Sequence, residues 1–155
     1  MNRTHSEVAV SSGQALGRLF ALSELIQQDE AAGMARLKLS RARAAVLWEL
    51  HHQGPLTQRR LSDALNVTPR NITGLVDALE LDGFVVRTKH PTDRRAILVR
   101  LTGHGAETTK KMAEGAGRFA DQLFGSVPAD ELEAFVRTLD GVIERLRHVV
   151  ESGDG

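Results

Sequence analysis

Two short apolar helical patterns, set only a few residues apart, constrain the fold of this chain more than any other feature of its sequence. The first runs from Gln58 to Leu65 behind Thr57, a residue type that caps helices. The second starts at Thr68 and Pro69, a capping residue followed by a proline whose fixed φ suits a first helical turn. Its apolar residues recur at helical spacing and precede a terminating glycine: Ile72, Leu75, Val76, Leu79 and then Gly83. Two short helices joined by a tight turn predict a helix-turn-helix.

Two β-branched-rich runs follow directly, Phe84 to Thr88 and Ala96 to Leu101. The loop between them contains Pro91 and Asp93, so the runs are typical of an antiparallel hairpin. A hairpin attached to a helix-turn-helix is a wing.

Longer helical patterns flank this core. We predict a first helix from Val8 to Gln28 and a second from Ala42 to His52, capped by Ser40. The residues of the second helix that are predicted to point inward are Ala45, Val46, Trp48 and Leu50. The last third carries two more apolar stripes, Thr109 to Leu123 and Leu132 to Val150. The final stripe predicts a surface for a partner helix, and the alternative is a helix packed only against its own domain.

Length and composition limit the chain to a few classes of protein. At 155 residues and 41% apolar content it is too short for two ordinary domains, so we predict one domain, residues 1–155, mainly α with a small antiparallel β hairpin. Cysteine is absent, which excludes disulfides and thiolate metal sites. Neither a signal-peptide core nor a run of about 18 apolar residues is present, which predicts a cytoplasmic protein with no membrane partner.

The net charge of zero hides an uneven distribution. The segment from Arg36 to Arg100 holds twelve Lys and Arg against six Asp and Glu, a net +6, and the rest of the chain carries −6. A basic middle with acidic ends indicates a nucleic-acid-binding face, whereas chance clustering of solvated charge is the alternative.

The segment from Leu56 to Gly105 resembles the DNA-binding core of the MarR (multiple antibiotic resistance regulator) family. Three stretches carry the resemblance in register: "LTQRRLSDAL", "VTPRNITGLVDALELDGFV" and "PTDRRAILVRLTGHG". The resemblance implies a winged helix-turn-helix core over 40–102 and a homodimer held by helices over 8–35 and 103–150. It also implies that the protein binds a pseudo-palindromic operator in double-stranded DNA and usually represses transcription. In many members, a small and often aromatic anion releases the protein from DNA.

The second helix of the motif looks like the recognition helix. On this basis the expected DNA contacts near it are Thr57, Thr68, Pro69, Arg70, Asn71 and Thr73. Arg can pair with guanine, Asn with adenine, and Thr with a thymine methyl group or a phosphate. Many relatives carry a basic residue where Gly74 stands, so one contact is expected to be absent here.

The hairpin tip matches the family's Asp-x-Arg pattern with Asp93 and Arg95. The resemblance implies that the carboxylate orients the arginine, which enters the minor groove, where a narrow A·T-rich groove concentrates negative potential. Arg94 and Lys89 are expected to face phosphates.

Two further sets of residues follow from the stripes and the resemblance. Dimerisation is assigned to Leu16, Leu19, Leu132, Phe135, Leu139, Val142, Ile143 and Leu146. An effector site is assigned to Arg18, Trp48 and His51.

No catalytic set or phosphate-binding loop can be assembled from the sequence, so we predict neither an enzyme nor a cofactor. His51 and His52 are adjacent on a helix, where their side chains diverge, so no metal site is predicted. The competing function is a winged-helix module for protein contacts, and salt-dependent retardation of duplex DNA separates the two.

Overall fold

In the computed structural model, which describes residues 10–93 and 95–153, the described chain forms six helices and three short strands. The helices are α1 (Ser12–Arg36), α2 (Arg41–Gln53), α3 (Gln58–Leu65), α4 (Pro69–Leu81), α5 (Gly103–Phe124) and α6 (Ala129–Ser152), and the strands are β1 (Leu56–Thr57), β2 (Val85–Lys89) and β3 (Ile97–Leu101). The prediction of a mainly α chain with a small antiparallel hairpin is confirmed.

The predicted helix-turn-helix is present, and local signals set its ends. The Thr57 hydroxyl accepts a hydrogen bond from the backbone N–H of Arg60 at 3.3 Å, and α3 ends at Asn66 in the left-handed conformation. Thr68 caps α4, and Pro69 occupies its first turn. Gly83, at φ 77°, lets the chain leave α4 for the hairpin.

The sheet has one strand more than the sequence predicted. β2 and β3 form the expected hairpin, with Val85 opposite Leu101 and Lys89 opposite Ile97. β1 adds to the other edge of β3 and pairs Leu56 with Val99, which gives the strand order β1-β3-β2. This third strand ties the start of α3 to the base of the wing.

A single core joins the helix-turn-helix to the sheet. Its most deeply buried apolar side chains are Val46, Leu47, Leu50, Leu61, Ile72, Val76, Leu79, Val85 and Val99. The predicted inward face of α2 is partly wrong, because Ala45 and Trp48 are only half-buried while Ala44 and Leu47 are buried. The Trp48 ring packs against histidines of its own helix, so the core face of α2 is rotated away from it.

The first helix differs from its prediction at its C-terminal end. It begins with a capping box between Ser11 and Gln14, and the predicted start at Val8 lies outside the described residues. It continues to Arg36 rather than Gln28, because the additional residues are mostly good helix formers, and it ends before Lys38 at φ 55°.

The chain divides into two units, Met1–Thr109 and Lys110–Gly155. The first holds the helix-turn-helix and wing; the second holds most of α5 and all of α6. Within the second unit the rings of Phe124 and Phe135 lie 6.0 Å apart across the turn between its helices. None of the helices in the described segments is long and apolar enough to cross a membrane.

Candidate nucleic-acid interface

The N-terminal turn of α4 presents polar side chains to solvent from a firmly anchored backbone. The Thr68 hydroxyl accepts a hydrogen bond from the backbone N–H of Asn71 at 3.2 Å, which holds the first turn. Arg70 and Asn71 are exposed, whereas Ile72, the next residue, is buried. The fold therefore separates an outward polar turn from an inward apolar face, as expected of a recognition helix.

The next turn of α4 is also exposed at Thr73 and Gly74. A Cβ atom added at Gly74 would lie more than 4 Å from every atom outside its own stretch of helix backbone. The glycine is therefore not required by packing, and its effect is to leave the helix backbone accessible at this position.

Two exposed arginines on α3 were not assigned a role from the sequence. Arg59 and Arg60 lie in the first turn of α3, and both are exposed, whereas the Thr57 side chain is half-buried. The hydroxyl of Thr57 caps α3, so it is engaged within the fold. The adjacent pair of arginines at a helix start was the signal that could have identified them.

The wing tip is organised by two side chains that accept backbone hydrogen bonds. Nδ1 of His90 accepts from the N–H groups of Thr92 and Asp93 at 3.3 and 3.1 Å. Oδ1 of Asp93 accepts from the backbone N–H of Arg95 at 3.0 Å. Asp93 thus holds the main chain of Arg95. That its carboxylate also orients the Arg95 guanidinium stays a prediction. Arg95 and Lys89 are exposed, and Arg94 lies outside the described residues.

Two arginines of the basic segment are paired within the fold instead of facing solvent. Arg87 on β2 donates to Asp77 at 2.6 Å and to Glu80, both on α4. Arg43 on α2 donates to Asp82 at the end of α4. These pairs join α4 to β2 and α2, so they fix the orientation of α4 in the fold.

The carboxylate of Glu80 is held in its charged form by Arg87. The backbone N–H of Arg87 donates to it at 3.0 Å, and this bond, followed by the guanidinium contact, lowers the pKa of Glu80 below its ordinary value. Burial alone would lower the pKa of Arg87, but its hydrogen bonds to Asp77 and Glu80 outweigh burial and raise it.

When folding lowers the pKa of a glutamate, that group stabilises the fold at pH values above its ordinary pKa of about 4.3. This contribution is lost as the pH falls through the pKa of the folded state. We expect Glu80→Gln to melt at a lower temperature than wild type at pH 7, with a difference that shrinks towards pH 3. Melting followed by circular dichroism across this range measures it. A difference that is independent of pH would contradict this account.

The residues assigned to an effector lie on two helices of the first unit. The rings of Trp48 and His51 stack with centroids 5.8 Å apart, so the structure brings these two together. Arg18 is exposed on α1. A separate groove of about 300 Å³ between α1 and the start of α2 contains none of the three. Its lining residues are Leu19, Leu22, Ser23, Ile26, Gln27, Glu30 and Arg41.

The residues assigned to dimerisation lie on helices that have no buried residue within the single chain. On α1, Leu16 is exposed and Leu19 is half-buried. On α6 the exposed members are Phe135, Ile143 and Leu146, and the half-buried members are Leu132, Leu139 and Val142. Leu146 exposes 60% of its surface, so this apolar face is left accessible in the single chain.

Among the described residues, no group of three or more His, Asp and Glu side chains is arranged to hold a metal ion. Glu144 and His148, one turn apart on the exposed surface of α6, form a pair whose Oε1 and Nε2 atoms lie 3.5 Å apart.

Comparisons with known proteins match this geometry. The sequence model of the MarR family matches residues 39–97, from just before α2 to the start of β3. The chain is 30% identical over 114 residues to the uncharacterised HTH-type transcriptional regulator YdgJ of Bacillus subtilis, covering 74% of this chain and 67% of that protein. It is 27% identical to the HTH-type transcriptional repressor NicR of Pseudomonas putida, covering 93% and 89% of the two chains.

The fold is shared with solved structures. The crystal structure of Streptococcus pneumoniae FabT in complex with DNA superimposes with a TM-score of 0.72 at 18% identity, covering 88% of this chain and 96% of that one. At this identity the likeness shows the fold alone.

Proposed function

The chain belongs to the MarR family of transcriptional regulators, and on this premise we propose that it is a homodimer that binds a pseudo-palindromic site in double-stranded DNA and represses transcription. The observation that carries the proposal is the exposed Arg70-Asn71 pair on the capped first turn of α4. Arg and Asn supply the bidentate donors and acceptors that distinguish bases in the major groove. Repression is supported by the name of the relative NicR, a transcriptional repressor.

The unpartnered apolar faces of α1 and α6 support the dimer. A symmetric dimer places two recognition helices against two half-sites, which explains why the operator should be pseudo-palindromic. The exposed basic residues outside α4, Arg59, Arg60, Lys89 and Arg95, supply the charge for phosphate and groove contacts.

Selection from a pool of randomised duplexes tests the proposal. The protein should enrich an inverted repeat, and its affinity for that repeat should fall steeply with salt, because each phosphate contact adds about −0.9 to the slope of log affinity against log salt. A folded dimer that retards no duplex at any salt would instead support the module for protein contacts.

The proposal includes release from DNA by a small aromatic anion bound near the ring cluster of α2. Trp48 supplies a flat apolar surface, and His51 and Arg18 supply polar partners for an anion. A thermal-shift screen of aromatic carboxylates tests this. A ligand of this site should raise the melting temperature and weaken DNA binding, and His51→Ala should remove both effects. A compound that acts equally on His51→Ala binds elsewhere.

The wing offers a test of how Asp93 acts. We expect Arg95→Ala to weaken operator binding by about tenfold, with the greater loss where the flanking sequence is A·T-rich. Asp93→Ala should reproduce part of that loss, because the Arg95 backbone loses its hydrogen-bond acceptor. Asp93→Asn is the matched control, since the amide oxygen can still accept that bond. Titrations at several salt concentrations decide it: tighter binding by Asp93→Ala at every salt would show that the tip is a passive charged loop.

A further inference from the structure

The hydroxyl group of Thr73 on the recognition helix is engaged by two hydrogen bonds inside the protein. Its Oγ1 donates to the backbone carbonyl of Pro69 at 2.8 Å, one turn earlier in α4. The same oxygen accepts from Nε2 of Gln58, at the start of α3, at 3.0 Å. Thr73 is nevertheless exposed. The question is therefore which part of this side chain remains for a ligand.

Hydrogen bonds from Arg87 fix the orientation of the Gln58 amide. Nε and Nη2 of Arg87 both donate to Oε1 of Gln58, at 3.1 and 2.9 Å. A guanidinium group only donates hydrogen bonds, so the amide oxygen must face Arg87 and the amide nitrogen must face Thr73. The donor direction at Thr73 thus follows from the arginine and does not depend on a choice between the two amide orientations.

Arg87 is itself fixed by α4. Its guanidinium contacts Asp77 and Glu80, and its side chain is only 24% exposed. Because Arg87 starts the chain of hydrogen bonds as a donor, each later group must donate onward: Arg87 to Gln58, Gln58 to Thr73, and Thr73 to the Pro69 carbonyl. The proton of the Thr73 hydroxyl is therefore held in a hydrogen bond within α4.

We propose that Thr73 contacts a thymine methyl group through its own γ-methyl group, and that Gln58 and Arg87 are the positioning residues that enforce this choice. A phosphate oxygen only accepts hydrogen bonds, so a phosphate contact would need the proton that Pro69 already receives. The γ-methyl is the substituent of the exposed side chain that no internal hydrogen bond holds, and apolar contact with the thymine C5-methyl is a known means of base discrimination in the major groove. The inference rests on the proposed DNA-binding function.

Replacing thymine by deoxyuracil removes only the C5-methyl group and therefore tests the contact directly. In the duplex that wild type selects from the randomised pool, each thymine is replaced in turn. We expect one position in each half-site to lose about fourfold in affinity, the value of burying one methyl group. Thr73→Val keeps the methyl group, so it should keep this loss. Thr73→Ser lacks the methyl group, so it should bind the parent duplex about fourfold more weakly and be insensitive to uracil at that position.

Gln58→Ala tests the positioning role. It leaves Thr73 intact but removes one of the two hydrogen bonds that hold its hydroxyl, so uracil sensitivity at the same position should shrink, while a thermal melt shows that the variant is folded. Equal sensitivity to uracil in Gln58→Ala and wild type would remove Gln58 and Arg87 from the inference.

Three results would contradict the proposed methyl contact. If Thr73→Val weakens binding to every duplex and reduces the salt dependence while Thr73→Ser does not, the hydroxyl contacts a phosphate and the inference is overturned. If wild type selects a sequence but no thymine in it is sensitive to uracil, the inference fails and the proposed function stands. A protein that selects no sequence overturns both.

Discussion

Replacing Ile143 and Leu146 of α6 with aspartate is expected to give a monomer whose operator affinity is lower by about 100-fold or more. Both side chains are exposed in the single chain, so neither carboxylate would disturb a buried core. In the proposed dimer, each would place an unpaired charge in an apolar interface. Loss of the dimer removes the gain from binding two linked half-sites.

The control for this prediction is a double substitution on the polar side of the same helix, Ala134→Asp with His148→Asp, where both residues are exposed. It adds the same two carboxylates outside the apolar stripe and should leave dimer and affinity unchanged. Light scattering gives the mass, circular dichroism gives the helix content, and DNA retardation gives the affinity. A folded monomer of the first variant that binds the operator as tightly as wild type would contradict the proposed dimer.

Arg70→Ala is expected to cost about 1 to 3 kcal/mol on the selected operator, or roughly 10- to 100-fold, and to relax the preference at one base pair in each half-site. Asn71→Ala should behave in the same way at a neighbouring position. Binding to unrelated duplexes should change much less, because a base contact contributes little without its base. The physical reason is the loss of a bidentate donor from an exposed, capped helical turn.

Arg137→Ala on α6 is a charge-matched control, since it also removes an exposed arginine. Repeating the pool selection with each variant separates base contacts from phosphate contacts. If Arg70→Ala weakens every duplex equally and reduces the salt slope by about one, Arg70 holds a phosphate and does not specify sequence.

Local sequence signals were sufficient wherever the deciding contacts span only a few residues. Thr57 and Thr68 cap their helices through the third residue after them, Pro69 starts α4, and Gly83 ends the motif, so α3 and the start of α4 could be predicted at their true positions. The hairpin strands were placed within one residue at their N-terminal ends because the alternation of side chains is a property of each strand alone. The same patterns led to the family resemblance, and the family model confirms it.

The sequence by itself therefore determined the order of the helices and the hairpin strands, the family and the exposed residues at the start of α4, because each depends on neighbours in the chain. Only the tertiary structure decided which polar side chains are engaged inside the protein. β1 exists because Leu56 meets Val99, and Trp48 lies off the core because Ala44, Leu47 and Leu50 form the buried face of α2. Arg87 counted as one more basic residue in the sequence, but packing places its guanidinium between Asp77, Glu80 and Gln58. These groups come from three separate elements, so no local pattern could show that they meet.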